Sequence, residues 1–131
     1  MKPIELDYRK DPELFNETAK SWADAICQDN QKKNGDCGVK STQIRNFYEK
    51  VLELNRKVEN REKDFEDILP FVKMLNSKVE YALHRKGDGG TLVNKSFADM
   101  MKRCISQVDS PEKLRNFKLF FEAVLGFYKG K

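Results

Sequence analysis

Ser41-Thr42-Gln43-Ile44-Arg45-Asn46-Phe47-Tyr48 is the stretch on which the reading of this chain turns. It follows a polar loop holding Gly35 and Gly38, and Ser41 is a residue type that can cap a helix. From Thr42 to about Glu59 the apolar residues Ile44, Phe47, Val51, Leu54 and Val58 recur at helical spacing. The spacing predicts an amphipathic helix. Arg45 stands beside the apolar seam with no catalytic group nearby in sequence, which suits holding an anion rather than cleaving one.

The same pattern extends in both directions. Upstream, Asp11-Pro12 pairs a capping residue with proline at a first helical position, predicting a helix to about Asn30. Residues 31–40 read as loop. Downstream, a segment from about Glu62 to Lys86 contains Pro70, which predicts a bend near Leu69 or two helices meeting there. Gly87-Asp88-Gly89-Gly90 reads as a turn. A further helix from Leu92 to Val108 turns Phe97, Met100, Met101, Cys104 and Val108 inward. Ser110-Pro111 repeats the start signal, and a last helix to about Tyr128 carries Leu114, Phe117, Phe121, Val124, Leu125 and Tyr128 on one broad face. The expected fold is all-α, a compact bundle of about five helices. Residues 1–131 make a single helical domain, in which 1–40 supply an N-terminal helix and loop.

Composition narrows the function classes. With 131 residues the chain fits one core, and no apolar run approaches the ~18 residues of a membrane span. The start, Met1 to Asp7, lacks the apolar stretch of a signal peptide, so a cytoplasmic location is expected. Three cysteines, Cys27, Cys37 and Cys104, have no close spacing and are expected as free thiols in a reducing compartment. The net charge of +4 is uneven: residues 78–131 hold 11 Lys and Arg against 6 Asp and Glu, while residues 1–77 hold 14 against 15. A basic C-terminal half is compatible with a polyanionic partner and equally with solvated helix faces.

Catalytic signals are weak. The single histidine, His84, lies on a charged helix. The run Gly87–Gly90 lacks the following Lys-Ser/Thr of a phosphate loop, and no nucleophile-elbow motif occurs. The acidic pairs Glu62/Glu66 and Asp64/Asp67 sit at a helix start, where the dipole favours them. No cofactor, metal site or enzymatic activity is expected.

Binding faces are more informative. Arg45 and Arg56 share one flank of their helix about three turns, or ~16 Å, apart, a span compatible with phosphates along a strand. The competing reading pairs Arg45 with Glu49 and leaves Arg56 as surface coating. In the next helix Ile68, Val72, Leu75, Val79 and Leu83 form the core stripe, while Met74, Lys78, Tyr81 and Arg85 line the other side. Cations alternating with a ring suit single-stranded RNA, and the same residue types suit a protein interface. Arg115, Lys118 and Lys129 form a further basic strip on the last helix.

Three ordered segments carry a resemblance. Residues 41–48 resemble the T-Q-I-R-x-F-Y signature of the small subunit of type III-A CRISPR–Cas effector complexes, the Csm small-subunit family. Leu75 to Arg85, with Lys78 and Tyr81, is similar to that family's L-x-x-K-x-x-Y-x-x-x-R stretch. Phe120-Phe121-Glu122-Ala123-Val124-Leu125-Gly126-Phe127-Tyr128-Lys129-Gly130 resembles its aromatic ending. Together they span about residues 41–131. One departure is Asn46, at a position often basic in similar sequences.

The resemblance implies a non-catalytic, all-helical subunit for antiviral defence. Copies would stack inside a ribonucleoprotein beside its backbone and large subunits, contact guide RNA and target RNA, and help monitor their pairing. Arg45, Arg56, Lys78, Tyr81, Arg85, Lys118 and Lys129 are the expected RNA-binding residues. A helical protein–protein adaptor without nucleic-acid contact is the alternative, and a small helical nuclease a third. Salt-sensitive RNA binding separates the first from the second.

Overall fold

The computed structural model describes residues 2–87 and 90–128. Among the described residues the architecture is a bundle of five α-helices: α1 Ala19–Gln28, α2 Ser41–Glu59, α3 Phe65–His84, α4 Lys95–Gln107 and α5 Pro111–Phe127. α5 packs on α1 and α2, α3 packs on α4, and α2 bridges α3 and α5. The tip of the turn between α3 and α4, which includes Asp88 and Gly89, lies outside the described residues. Its two sides form a short antiparallel ladder, β1 Lys86–Gly87 against β2 Gly90–Thr91.

Most of each expected core stripe is buried, with Leu54, Val58, Leu83, Leu125 and Tyr128 half-buried at the edges. Ile44, Phe47 and Val51 from α2, Ile68, Val72, Leu75 and Val79 from α3, and Phe97, Met100, Met101 and Cys104 from α4 meet Leu114, Phe117, Phe120, Phe121 and Val124 from α5. The rings of Phe97, Phe117 and Phe121 pack together, and Phe47 joins them against Phe97 at a centroid distance of 5.4 Å.

Helix starts follow their capping chemistry, with two differences. Ser110 Oγ accepts the Lys113 N–H at 3.1 Å, with Pro111 in the first turn as expected. Asn94 Oδ1 accepts the Phe97 N–H at 2.9 Å and starts α4. α2, however, begins at Ser41 itself, with Lys40 in the capping position and no side-chain cap. The first helix also differs: a π-helical turn over Leu14–Thr18 precedes α1. Asp11 accounts for part of this, because its carboxylate accepts both the Glu13 N–H and the Thr18 hydroxyl and so serves the turn rather than capping an α-helix. Asn30, with φ of 57°, closes α1 two residues earlier than expected.

Pro70 does not split its segment: α3 runs unbroken from Phe65 to His84. Proline is the sixth residue of this helix. The carbonyl it leaves without an N–H partner is that of exposed Glu66, where water can replace the lost bond.

The cysteine expectation is corrected. Cys27 and Cys37 are joined, with Cα atoms 4.2 Å apart, across the loop from α1 to α2. Spacing in sequence could not show this, because the loop folds back: the Gly38 N–H reaches the Cys27 carbonyl at 2.9 Å. Cys104 is a free thiol within the core, and burial pushes its pKa up.

The N-terminal residues are structural. Leu6 is fully buried and Ile4 nearly so. Gln107 holds this segment at both edges, its Oε1 accepting from the Leu6 N–H at 2.8 Å and its Nε2 donating to the Ile4 carbonyl at 2.7 Å. Asn116 Nδ2 donates to the Leu6 carbonyl and Trp22 Nε1 to that of Lys2.

Candidate nucleic-acid interface on helices α2, α3 and α5

α2 runs antiparallel to α5. Tyr48 near its start bonds Glu122 near the end of α5, and Glu59 at its end lies 3.9 Å from Arg115 near the start of α5. α2 runs antiparallel to α3 as well, since Gln43 and Asn46 share a groove with Tyr81 and Ala82, and Lys57 shares one with Asp67.

Arg45 is exposed on the second turn of α2 and has no ion pair or hydrogen bond among the described residues. The pairing with Glu49 that helical spacing allowed is therefore absent. Its neighbours explain the local pattern of residues 41–48. Ile44 and Phe47 point into the core, Tyr48 ties α2 to α5, and Arg45 and Asn46 are left outward. Burial, reinforced by the bond to Glu122, pushes the Tyr48 phenol up to about 12, so it remains a donor at neutral pH.

Arg56 occupies the same flank but is engaged. Its Nε and Nη2 make a fork with Glu53 at 3.1 and 2.7 Å, and its Nη1 bonds Glu62 at 2.7 Å. These bonds hold the guanidinium protonated well beyond its usual range and the Glu53 carboxyl below its own. A phosphate at Arg56 has to displace carboxylates.

Lys78 and Tyr81 are exposed on α3, and exposed Arg85 follows directly after its last residue, His84. Tyr81 is 62 % exposed, and the Arg85 guanidinium lies 5.5 Å from its ring centroid while donating to its hydroxyl. The guanidinium sits at the hydroxyl end of the ring, so the exposed ring and a cation are presented side by side. The row continues backward through Met74, 44 % exposed, to Phe71, 51 % exposed. Phe71 went unflagged in the sequence, although its place three residues before Met74 on the same helical face was a usable signal.

A groove of about 660 Å³ runs between α2 and α3, lined by Phe47, Lys50, Leu54, Phe71, Met74, Lys78 and Tyr81 among others. Its α2 rim also bears Glu49 and Glu53, so its charge is mixed. Arg45 sits on the α5 side of α2, away from this groove, by helical phase. The seven expected contacts thus divide. Lys78, Tyr81 and Arg85 are gathered on the last turns of α3 and the residue just after it. Arg45, Arg56 and half-buried Lys118 belong to α2 and α5. Lys129 lies outside the described residues.

Among the described residues no three His, Cys, Asp or Glu side chains converge as a metal site would need, and no helix is long and apolar enough to cross a membrane. His84 bonds Glu80 at 3.0 Å on the surface of α3.

The sequence pattern of the Csm2 Type III-A family matches residues 9–131, which include all five helices. The chain belongs to the Csm2 Type III-A family. Membership makes it a small subunit of a type III-A CRISPR complex, which works alongside other subunits. The match begins at Arg9, well before the three motifs at 41–131, so the Csm2 pattern takes in the π-helical turn and α1 too. No individual curated protein and no solved structure matches the chain.

Proposed function

We propose that this Csm2-family subunit is non-catalytic and holds guide RNA and target RNA by their sugar–phosphate backbones, helping to monitor their pairing within a cytoplasmic antiviral complex. The observation that carries the reading is the exposed set Lys78, Tyr81 and Arg85, with the guanidinium hydrogen-bonded to the hydroxyl of the exposed ring. Cations on rigid helices neutralise phosphate without reading bases, which suits a subunit serving any guide sequence. A ring in such a row adds ~1–3 kcal/mol per stacked base.

Arg45, with no ion pair among the described residues, and Lys118 extend the set across α2 and α5. Arg56 contributes only by exchanging Glu53 and Glu62 for phosphate, and Lys129 remains in the set on sequence grounds. With few contacts per copy, one subunit binds weakly, and neighbouring copies beside the backbone and large subunits raise the effective concentration.

The test is target-RNA binding by the assembled complex carrying Arg45→Ala and Lys78→Ala. Each lost phosphate contact should flatten the salt slope by ~0.7 on single strands and ~0.9 on a duplex. Unchanged affinity and slope, with assembly intact, would remove these residues from the RNA face.

A second reading, a helical adaptor that contacts only protein, is favoured by one observation: the large apolar side chains of Phe71 and Met74 stand exposed in the groove between α2 and α3. In that case Phe71→Ser abolishes assembly, and no salt-sensitive RNA binding is found in the isolated subunit.

A further inference from the structure

We propose that Cys27 and Cys37 form a reversible redox clasp on the loop between α1 and α2, closed by a small-molecule disulfide and reopened by a thiol while the helical bundle persists. The proposal is independent of the RNA-binding reading. It starts from the placement of the pair. Cys27 lies in the last turn of α1, and Cys37 lies four residues before α2 begins. The bond therefore spans the loop that leads into α2.

The loop is already folded by weaker bonds that do not involve sulfur. Asn94 Nδ2 donates to the carbonyls of Ile26 and Asp29 at 2.8 and 3.0 Å, and Asp29 Oδ2 accepts the Ser96 N–H at 3.0 Å. The Gly38 N–H bonds the Cys27 carbonyl, and the Lys32 N–H bonds that of Asp36 at 3.0 Å. These contacts hold the two thiols face to face after reduction, so re-forming the bond is intramolecular and fast. The rings that fill the core, Trp22, Phe47, Phe97, Phe117 and Phe121, belong to the helices and not to the loop, which lets the helices stand without the clasp.

Access is also provided. Cys27 is half-buried and Cys37 buried, so an incoming thiol approaches the bond from the Cys27 side; the ring between them balances Lys32 and Lys33 against Asp29 and Asp36. In the closing reaction one cysteine thiolate attacks glutathione disulfide and expels one glutathione thiolate. The second cysteine, losing its proton, then attacks the mixed disulfide and expels the other. Two protein thiols are oxidised and one glutathione disulfide is reduced to two thiols. Cys104, sealed in the core, takes no part and serves as an internal control.

The test equilibrates the full chain in glutathione buffers from reducing to oxidising, followed by thiol alkylation, mass spectrometry, circular dichroism and brief trypsin treatment. Cys27 and Cys37 should gain label together under reducing conditions and lose it together under oxidising ones, with Cys104 unlabelled and the helical signal constant. Tryptic cleavage after Lys32 and Lys33 should rise about tenfold on reduction, because the loop, still held mostly closed by its hydrogen bonds, opens transiently more often without the bond. The double variant Cys27→Ser, Cys37→Ser should be cleaved at the reduced rate in every buffer. Three outcomes overturn the proposal: a bond that survives reduced glutathione, thiols that stay labelled in excess glutathione disulfide, or helical signal lost on reduction. Should the double variant fail to fold, labelling and dichroism of the unaltered chain still decide the question.

Discussion

The Tyr48 hydroxyl donates to Glu122 Oε1 at 2.8 Å, and this bond fastens the opening of α2 to the closing turns of α5. The same tyrosine packs edge-on against Phe121 at 5.5 Å. A polar tie and an aromatic contact therefore act through one side chain, and they fix the helix that presents Arg45.

Tyr48→Phe keeps the ring contact and removes the tie. The expected cost is about 1 kcal/mol, read as a fall in Tm of roughly 3–6 °C for a domain of this size. Arg45→Ala should leave Tm nearly unchanged, since that side chain holds nothing among the described residues.

Alkaline pH should loosen the bundle through two phenols. Burial pushes Tyr48 and Tyr128 up to about 12, from an ordinary value near 10. A folded-state pKa above the unfolded one means the protonated phenol favours folding. That contribution is complete below about pH 10 and fades as pH rises from there through 12. Absorbance titration should show two phenols ionising late, and Tyr48→Phe should remove one of them.

Gly38→Ala should be severe and Gly35→Ala mild. A Cβ on Gly38 would lie 1.8 Å from the Asp29 carbonyl oxygen, inside the hub that also bonds Asn94. Displacing that backbone costs about 3 kcal/mol or more. Gly35 has open space around it and only a φ of 93° to lose, worth about 1 kcal/mol. Thermal melts of the two variants should differ in that order.

Asn94→Ala removes the α4 cap and two cross-links to the end of α1 in one step. A cap alone is worth ~1 kcal/mol and buried carbonyls left unpaired add ~1–3 kcal/mol, so a loss of about 2–4 kcal/mol is expected in denaturant unfolding.

For RNA, the engaged state of Arg56 sets an order of effects. Arg56→Ala should weaken binding less than Lys78→Ala. Glu53→Gln with Glu62→Gln should strengthen it by releasing the guanidinium. Filter binding across a salt series checks both; a larger loss at Arg56 than at Lys78 would reverse the assignment.

Much of the fold was legible because helices declare themselves locally. Ile44, Phe47 and Val51 repeat at the period of one face, Ser110-Pro111 marks a start within three residues, and the stripe from Ile68 to Val79 is buried as spaced. The α3 row was legible for the same reason, since Lys78, Tyr81 and Arg85 lie within two turns. What the pattern did not carry was the state of each side chain. Arg56 looked equivalent to Arg45 until Glu62, beyond the end of α2, closed on it.

Read alone, the amino-acid order determined the helices, their inward faces and, through three short motifs, the Csm family. The tertiary structure alone decided that Cys27 meets Cys37, that Leu6 docks on Gln107 and Asn116 from the far end of the chain, and that Asn94 joins α4 to α1. The reason is range. Helical periodicity and capping act over a few residues, whereas these contacts form only after packing has brought distant segments together, and no local pattern encodes which segments those will be.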